Sequence, residues 1–205
     1  MKSVFDPDFQ NQSVEAKIVV ALERLSEAFR TQLWNENKKH NLSPLQIQFL
    51  IYLFYHRDSA TGVKRLSEEF NVTKPTASEA VRTLLKKGYV EEEPDLSDGR
   101  RKNLVLTQKG EQTAHKASFF ANKIKQEIAP LEAGQKEVML SSLLEIIYNL
   151  QRTGIIAVDR MCFQCRYFMR SNDPDEPHYC RLLEKPLKSN DLRIDCPEYE
   201  PVAEG

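Results

Sequence analysis

The chain is poor in the features that announce an enzyme or a membrane protein. It has seven glycines, four histidines and one tryptophan in 205 residues, and no glycine loop of the kind that cradles a phosphate. No nucleophile stands beside a base in a recognisable pattern, so the protein is not expected to be an enzyme. No long uncharged apolar run could span a bilayer, and no membrane is expected among its partners. The opening MKSVFDPDFQ lacks the basic and then apolar layout of a signal peptide, which points to a cytoplasmic protein. Nor is there an excess of one charge: 29 Lys and Arg against 30 Asp and Glu leave a formal net charge of −1. Any attraction to nucleic acid must therefore come from where the positive charges sit. Cysteine, finally, is scarce and confined. All four cysteines, Cys162, Cys165, Cys180 and Cys196, fall in the last quarter.

What is present is a strong helical rhythm. Val14, Ile18, Ala21, Leu22, Leu25, Phe29 and Leu33 recur at steps of three and four, predicting an amphipathic helix from Ser13 to about Leu33, broken by the NKKHN run. Ser43 and Pro44 supply an N-cap and a first-turn proline for a second helix, Leu45 to Tyr55, apolar on nearly every face and so the buried centre of its domain. Val63, Leu66 and Phe70 make a short helix, Asn71 and Val72 a turn, and Thr73 the N-cap of a further helix that Gly88 ends. Tyr89 to Glu93 and Asn103 to Leu106 read as short strands around the Asp98-Gly99 turn. Thr107 caps a helix expected to run through Ile128, Pro130 stops it, and one more amphipathic helix ends near Thr153.

Helix, turn, helix and basic hairpin in that order describe a winged helix-turn-helix, which sets one helix in the major groove of DNA and a β-ribbon beside it. Local charge agrees. From Lys64 to Lys87 there are six basic residues (Lys64, Arg65, Lys74, Arg82, Lys86, Lys87) against three acidic ones (Glu68, Glu69, Glu79). Ala77, Ala80, Val81, Leu84 and Leu85 mark the inward side of the second helix. Thr73, Lys74, Thr76, Ser78, Glu79 and Arg82 remain outside as candidate DNA contacts, short polar groups suiting close approach to phosphates and base edges. Arg82 could read guanine and Glu79 accept from cytosine, or the two could pair with each other at three-residue spacing. In the wing, Arg100 and Arg101 follow the tight turn and could enter a narrow minor groove, with Asp98 steadying one of them.

The run RLSEEFNVTKPTASEAVRTLLKKGYVEEEPDLSDGRRKNLVLTQKG, residues 65 to 110, resembles the DNA-binding core of the MarR family of bacterial transcription regulators, and the likeness extends over roughly residues 13 to 153. Its most specific part is D-G-R followed by L-x-L-T-x-x-G. The resemblance implies a homodimer with interlocking first and last helices on a pseudo-palindromic operator, and a wing in which Asp98 and Arg100 match the family's Asp and Arg. It also implies the option of a small phenolic or lipophilic effector, which many members bind between the dimerisation helices and the reading head. The residues support dimerisation by themselves, because the helices at 13 to 33 and 135 to 152 are apolar beyond what one small head can cover.

The expected fold is mainly α with a small β wing: a winged helix-turn-helix with a helical dimerisation region, followed by a loop-rich cysteine tail. Residues 1–153 would form the MarR-like DNA-binding and dimerisation domain, with the head at about 44–110 and dimer helices at about 13–35 and 111–153; residues 154–205 would form a metal-binding tail. There the spacing is C-x2-C-x14-C-x15-C, among Pro174, Pro177, Pro186 and Pro197 and with little periodicity. Four thiolates suit a structural zinc ion, or alternatively an iron–sulfur cluster or redox-active thiols. His178 could stand in for a cysteine, but a full set of four leaves it as a surface residue. The function expected is a homodimeric, sequence-specific DNA-binding transcription regulator responsive to a small ligand, metal or redox signal. The rival is a metal or redox-binding adaptor whose winged helix mediates protein contacts.

Overall fold

The structure, a computed structural model, describes residues 2–57, 61–94, 102–157, 160–171, 173 and 177–202. These fall into two compact units, one of residues 1–66 with 74–129, the other of residues 67–73 with 130–205.

The first unit opens with a short helix α1 (Pro7–Gln12) and a long one, α2 (Val14–His40), started by Ser13, whose Oγ accepts from the Ala16 amide. The NKKHN run does not break α2 as expected. Lys38, Lys39 and His40 in the last turn offset the negative helix end, and Asn41 closes it in the left-handed region at φ 51°. Helix α3 (Pro44–Tyr55) carries the predicted cap in full: Ser43 Oγ accepts from the Gln46 amide and the Gln46 side chain accepts from the Ser43 amide. This reciprocal pair satisfies two amides that the helix leaves open. Ser43→Ala should cost about 1 kcal/mol of stability, read as a lower urea midpoint at unchanged slope. As the sequence requires, α3 is the core, with Ile47, Phe49, Leu50, Tyr52 and Leu53 buried.

Helix α4 (Val63–Glu69) leads into α5 (Lys74–Lys86), which Gly88 follows at φ +68°. Strands β1 (Val90–Pro94) and β2 (Lys102–Leu106) pair antiparallel with Val90 opposite Leu106. Beside them Thr61 O accepts from the Leu104 amide at 2.8 Å. The chain can lie this close because a Cβ on Gly62 would come within 2.9 Å of the Lys102 carbonyl oxygen. Helix α6 (Gln108–Ala117) is capped by Thr107, as predicted. Its Gly110 is packed against the start of β1 so tightly that a Cβ there would sit 2.0 Å from the Tyr89 carbonyl oxygen.

The helix expected from Thr107 to Ile128 is not continuous. Residues Ser118–Ala121 tighten into a 3-10 turn before α7 (Asn122–Ile128). Ser118 Oγ donates to the His115 carbonyl at 2.8 Å and takes part in a 3.1 Å bond with Tyr55 Oη, so a side chain competes for helix geometry here. Phe119 and Phe120 then pack in different directions, one on His115 and the other on Phe29.

The second unit contains α8 (Ala133–Arg152), opened by a Glu132–Gln135 capping box, together with the cysteine-bearing tail and residues 67–73. The tail is less irregular than its prolines suggest. Strands β3 (Phe168–Met169), β4 (His178–Cys180) and β5 (Lys185–Leu187) form a three-stranded antiparallel sheet in sequence order. A small apolar cluster of Leu144, Met161, Cys162, Leu187 and Leu192 joins it to α8. Periodicity missed this cluster because its members come one per turn or strand.

Candidate nucleic-acid interface and cysteine cluster

Helix α5 has a sharply divided surface. Ala77, Ala80, Val81 and Leu84 are buried, and Thr73, Lys74, Thr76, Ser78, Glu79 and Arg82 are all exposed. Pro75 occupies its first turn, where a missing N–H costs nothing. Arg82 and Glu79 form an ion pair across one turn, both side chains more than half exposed. Such an exposed pair is worth roughly 0.3–0.5 kcal/mol, so a phosphate or a base edge can displace it cheaply. The turn between α4 and α5 is closed by amide bonds from Asn71 to Glu68 O and from Val72 to Ser67 O, with Asn71 at φ 48°.

The base of the wing is held by basic side chains turned inward to carbonyls. Lys109 Nζ donates to Lys87 O at 2.7 Å and lies 4.1 Å from the Tyr89 ring centroid, while Lys87 Nζ donates to Asn41 O. Thr107 Oγ1 donates to Gly88 O at 2.8 Å while accepting from the Gly110 amide. Lys102 pairs with Glu92 across the two strands. The wing-tip residues Asp98, Arg100 and Arg101 lie outside the described residues.

The four cysteines are free thiols that line one recess, shared with Phe168, Leu187, Arg193 and Glu198 among others. Three sets of backbone bonds bring them there. Residues 160–162 run beside 193–196: the Cys162 amide donates to Arg193 O and the Cys196 amide to Arg160 O, both at 3.1 Å. Cys165 bridges to Pro201, with the Arg166 amide donating to Glu200 O. Cys180 stands opposite Phe168 in the sheet. The Cys-x-x-Cys segment is itself a turn, with the Cys165 amide on Cys162 O at 2.9 Å, and Cys196 to Tyr199 repeats that turn at 3.1 Å.

Arg193 serves two of the sulfurs. Its amide donates to Cys162 Sγ at 3.2 Å and its guanidinium to Cys196 Sγ at 3.4 Å, the same group pairing with Glu198. Burial pushes the Cys162 thiol up, the Arg193 amide opposes this, and the proximity of Cys196, Cys165 and Cys180 adds to the rise. Burial likewise raises the Cys196 thiol, against the Arg193 guanidinium. Among the described residues, no group of three or more His, Cys, Asp or Glu side chains stands at ligating geometry for a metal ion. The sequence therefore identified four residues that share a recess, but not a closed tetrahedron.

His178 is not the surface residue expected. It is half-buried between Phe168 and Phe163, and its Nδ1 accepts from the Ser171 amide at 3.1 Å. Burial and then the charge of Arg170 hold its pKa below the ordinary value.

Sequence reasoning also passed over Arg160. Its Nε donates to Asp195 Oδ1 at 2.8 Å and its Nη2 pairs with Glu69 Oε1 at 3.3 Å. Arg160 two residues before Cys162 and Asp195 one before Cys196 are opposite charges flanking distant cysteines, which was a usable signal. Asn71 Nδ2 donates to Ile155 O at 3.2 Å, a second link between residues 67–73 and the segment after α8.

The fold and the divided face of α5 define a winged helix-turn-helix protein. The sequence pattern of the MarR family matches residues 40–101. Among solved structures the chain is similar to Staphylococcus aureus MepR in complex with DNA, at 21% identity and a TM-score of 0.60, over 67% of this chain and 99% of that one. It is also similar to MepR in a DNA-binding conformation, at 21% identity and a TM-score of 0.58, over 65% and 98%. A MarR transcriptional regulator from Methanosarcina mazei Go1 matches at 21% identity and a TM-score of 0.56, over 66% and 97%. A comparison with curated proteins finds no match. At this identity the structures speak for the fold. With the MarR-family pattern matched over residues 40–101, they show that the chain has the winged-helix fold of those structures.

Proposed function

We propose that the protein is a sequence-specific transcription regulator that binds a pseudo-palindromic operator as a homodimer. The observation that carries this reading is the face of α5, where six exposed polar residues, Thr73 to Arg82, back onto four buried apolar ones. Lys74, Thr76 and Ser78 in the first turns contact phosphates; Arg82, once released from Glu79, reads a base edge, and Glu79 accepts from cytosine. Asp98, Arg100 and Arg101, on the connection between β1 and β2, take the adjacent minor groove. Two copies are needed because a single head covers one half-site, and α2 offers an apolar stripe for pairing.

A footprint on the DNA flanking the protein's own gene should show two protected half-sites about one helical turn apart. Arg82→Ala should cost about 1–3 kcal/mol on that site, roughly five- to 150-fold, and relax the preference at one base pair. Lys74→Ala should instead weaken binding evenly across sequences and reduce the salt dependence. If neither substitution changes affinity at moderate salt and no half-site is protected, the reading fails and the winged helix serves another partner.

A further inference from the structure

We propose that Cys162, Cys165, Cys180 and Cys196 bind one Zn²⁺ as a tetrathiolate, and that the metal-bound tail holds the turn of the helix-turn-helix in place through Arg160. The first half rests on convergence. Four cysteines from three segments line a single recess, although of the backbone pairings only that of 160–162 with 193–196 joins two of them directly. The Cys162-x-x-Cys165 turn, closed by its own amide bond, presents two sulfurs from one knuckle, which is how structural zinc sites are begun. Four thiolates around a divalent ion leave excess negative charge, and Arg193 supplies the compensation with an amide on Cys162 Sγ and a guanidinium on Cys196 Sγ. The ion itself supplies the final closure of the sulfurs, since metal binding and local folding are coupled. Zinc needs only the four thiolates, whereas a cluster would need inorganic sulfide as well.

The second half follows from Arg160. Its carbonyl accepts from the Cys196 amide, its Nε holds Asp195, and its Nη2 holds Glu69 at the end of α4. Both side chains of the Arg160–Glu69 pair are mostly buried, at 12% and 17% exposure, so the pair is poorly screened and costly to leave half-made. With Asn71 bound to Ile155 O, two residues of the stretch from Ser67 to Thr73 are tied to the chain beyond α8, within one compact unit. That turn is continuous in the chain with Lys74, the first residue of α5. Loss of the metal frees residues 193–196, and with them the anchor that orients Arg160 on Glu69.

The test uses the full-length protein and needs no operator, so its failure is distinct from failure of the DNA-binding reading. Protein grown with zinc should retain one zinc per chain by elemental analysis after dialysis. Cobalt in its place should give the intense visible bands of a tetrahedral thiolate site. Cys162→Ser and Cys196→Ser should each lower retained zinc at least ten-fold. Amide hydrogen exchange at Asn71 and Val72 should accelerate at least ten-fold after chelation. Arg160→Gln should reproduce that acceleration while keeping one zinc per chain, which a tail that had merely unfolded could not do. Protein that retains no zinc and gives no cobalt spectrum overturns the site, as does a brown protein holding iron and sulfide. Unchanged exchange at Asn71 and Val72 after chelation, with zinc shown to have left, overturns the link.

Discussion

Gly110→Ala should destabilise the winged helix more than a methyl added at any other glycine among the described residues. A Cβ at this position would lie 2.0 Å from the Tyr89 carbonyl oxygen, 3.0 Å from its carbon and 3.1 Å from Leu106 Cδ2. The first two atoms are backbone, fixed by their own bonds: Tyr89 O accepts from the Thr107 amide at 3.1 Å and from Thr107 Oγ1 at 3.2 Å. Relief therefore requires α6 and the base of the wing to separate, which breaks those bonds and opens the burial of Tyr89, Val90 and Ala114. Overpacking of this kind costs about 3 kcal/mol or more, and for a chain of this size about 6–12 °C in Tm. Gly134→Ala is the matched comparison. Nothing lies within 4 Å of its Cβ position, in the first turn of α8, so it should gain up to about 0.5 kcal/mol from helix propensity. Thermal unfolding followed by circular dichroism would compare the two, and equal melting temperatures would refute the packing account.

The same glycine shows how much of the fold could be read in advance. The motif L-T-x-x-G at 106–110 was visible as the most specific part of the family resemblance, and Thr107 as a cap, but the reason for the glycine was not. It depends on β1 returning beside α6, a contact between residues twenty-one apart. What was legible was local: caps, turn glycines and inward stripes, which fixed α3, α4, α5 and the wing strands to within a residue or two. Where local rules were outweighed, the reading failed. The NKKHN run, Asn37 to Asn41, looked like a break, yet lysines and an Asn cap are tolerated at a helix end, and α2 runs to His40. Ser118 looked helical, yet its hydroxyl competes with the backbone.

The site divided in the same way. The outward residues of α5 follow from a period of 3.6 and were all found exposed. The cysteines could be grouped by scarcity but not arranged by it, because the pairings of 160–162 with 193–196 and of Cys165 with Pro201 carry no periodic signal. Arg193 was missed for the reverse reason: one arginine in a chain with 29 basic residues attracts no notice until its partners are known.

For the homodimer proposed above, the double substitution Ile18→Asp with Leu25→Asp should give a folded monomer. On the first half of α2, Val14, Ile18, Ala21 and Leu25 fall at steps of four, three and four, and all are exposed on the single chain. Ile18 and Leu25 are 48% and 42% exposed, while Ala16 and Leu33 of the same helix are buried. The helix thus has one apolar edge satisfied within the chain and a second that is not. Water would leave that second edge costly, and a two-fold copy of the same stripe is the simplest complement for it. Because the interface is shared, each substitution acts twice. At about half of the 1.5–3 kcal/mol for fully burying an aliphatic side chain, since each is already about half covered, four lost sites amount to on the order of 3–6 kcal/mol, roughly a hundred- to ten-thousand-fold in Kd. Light scattering after size exclusion should report half the wild-type mass at micromolar concentration, with helix content by circular dichroism unchanged because neither side chain belongs to the chain's own core. A variant that remains dimeric would place the interface elsewhere on the chain. Operator binding discriminates further: a folded monomer keeps α5 intact but engages one half-site at a time, so its affinity for the paired site should fall to that of a single half-site rather than vanish.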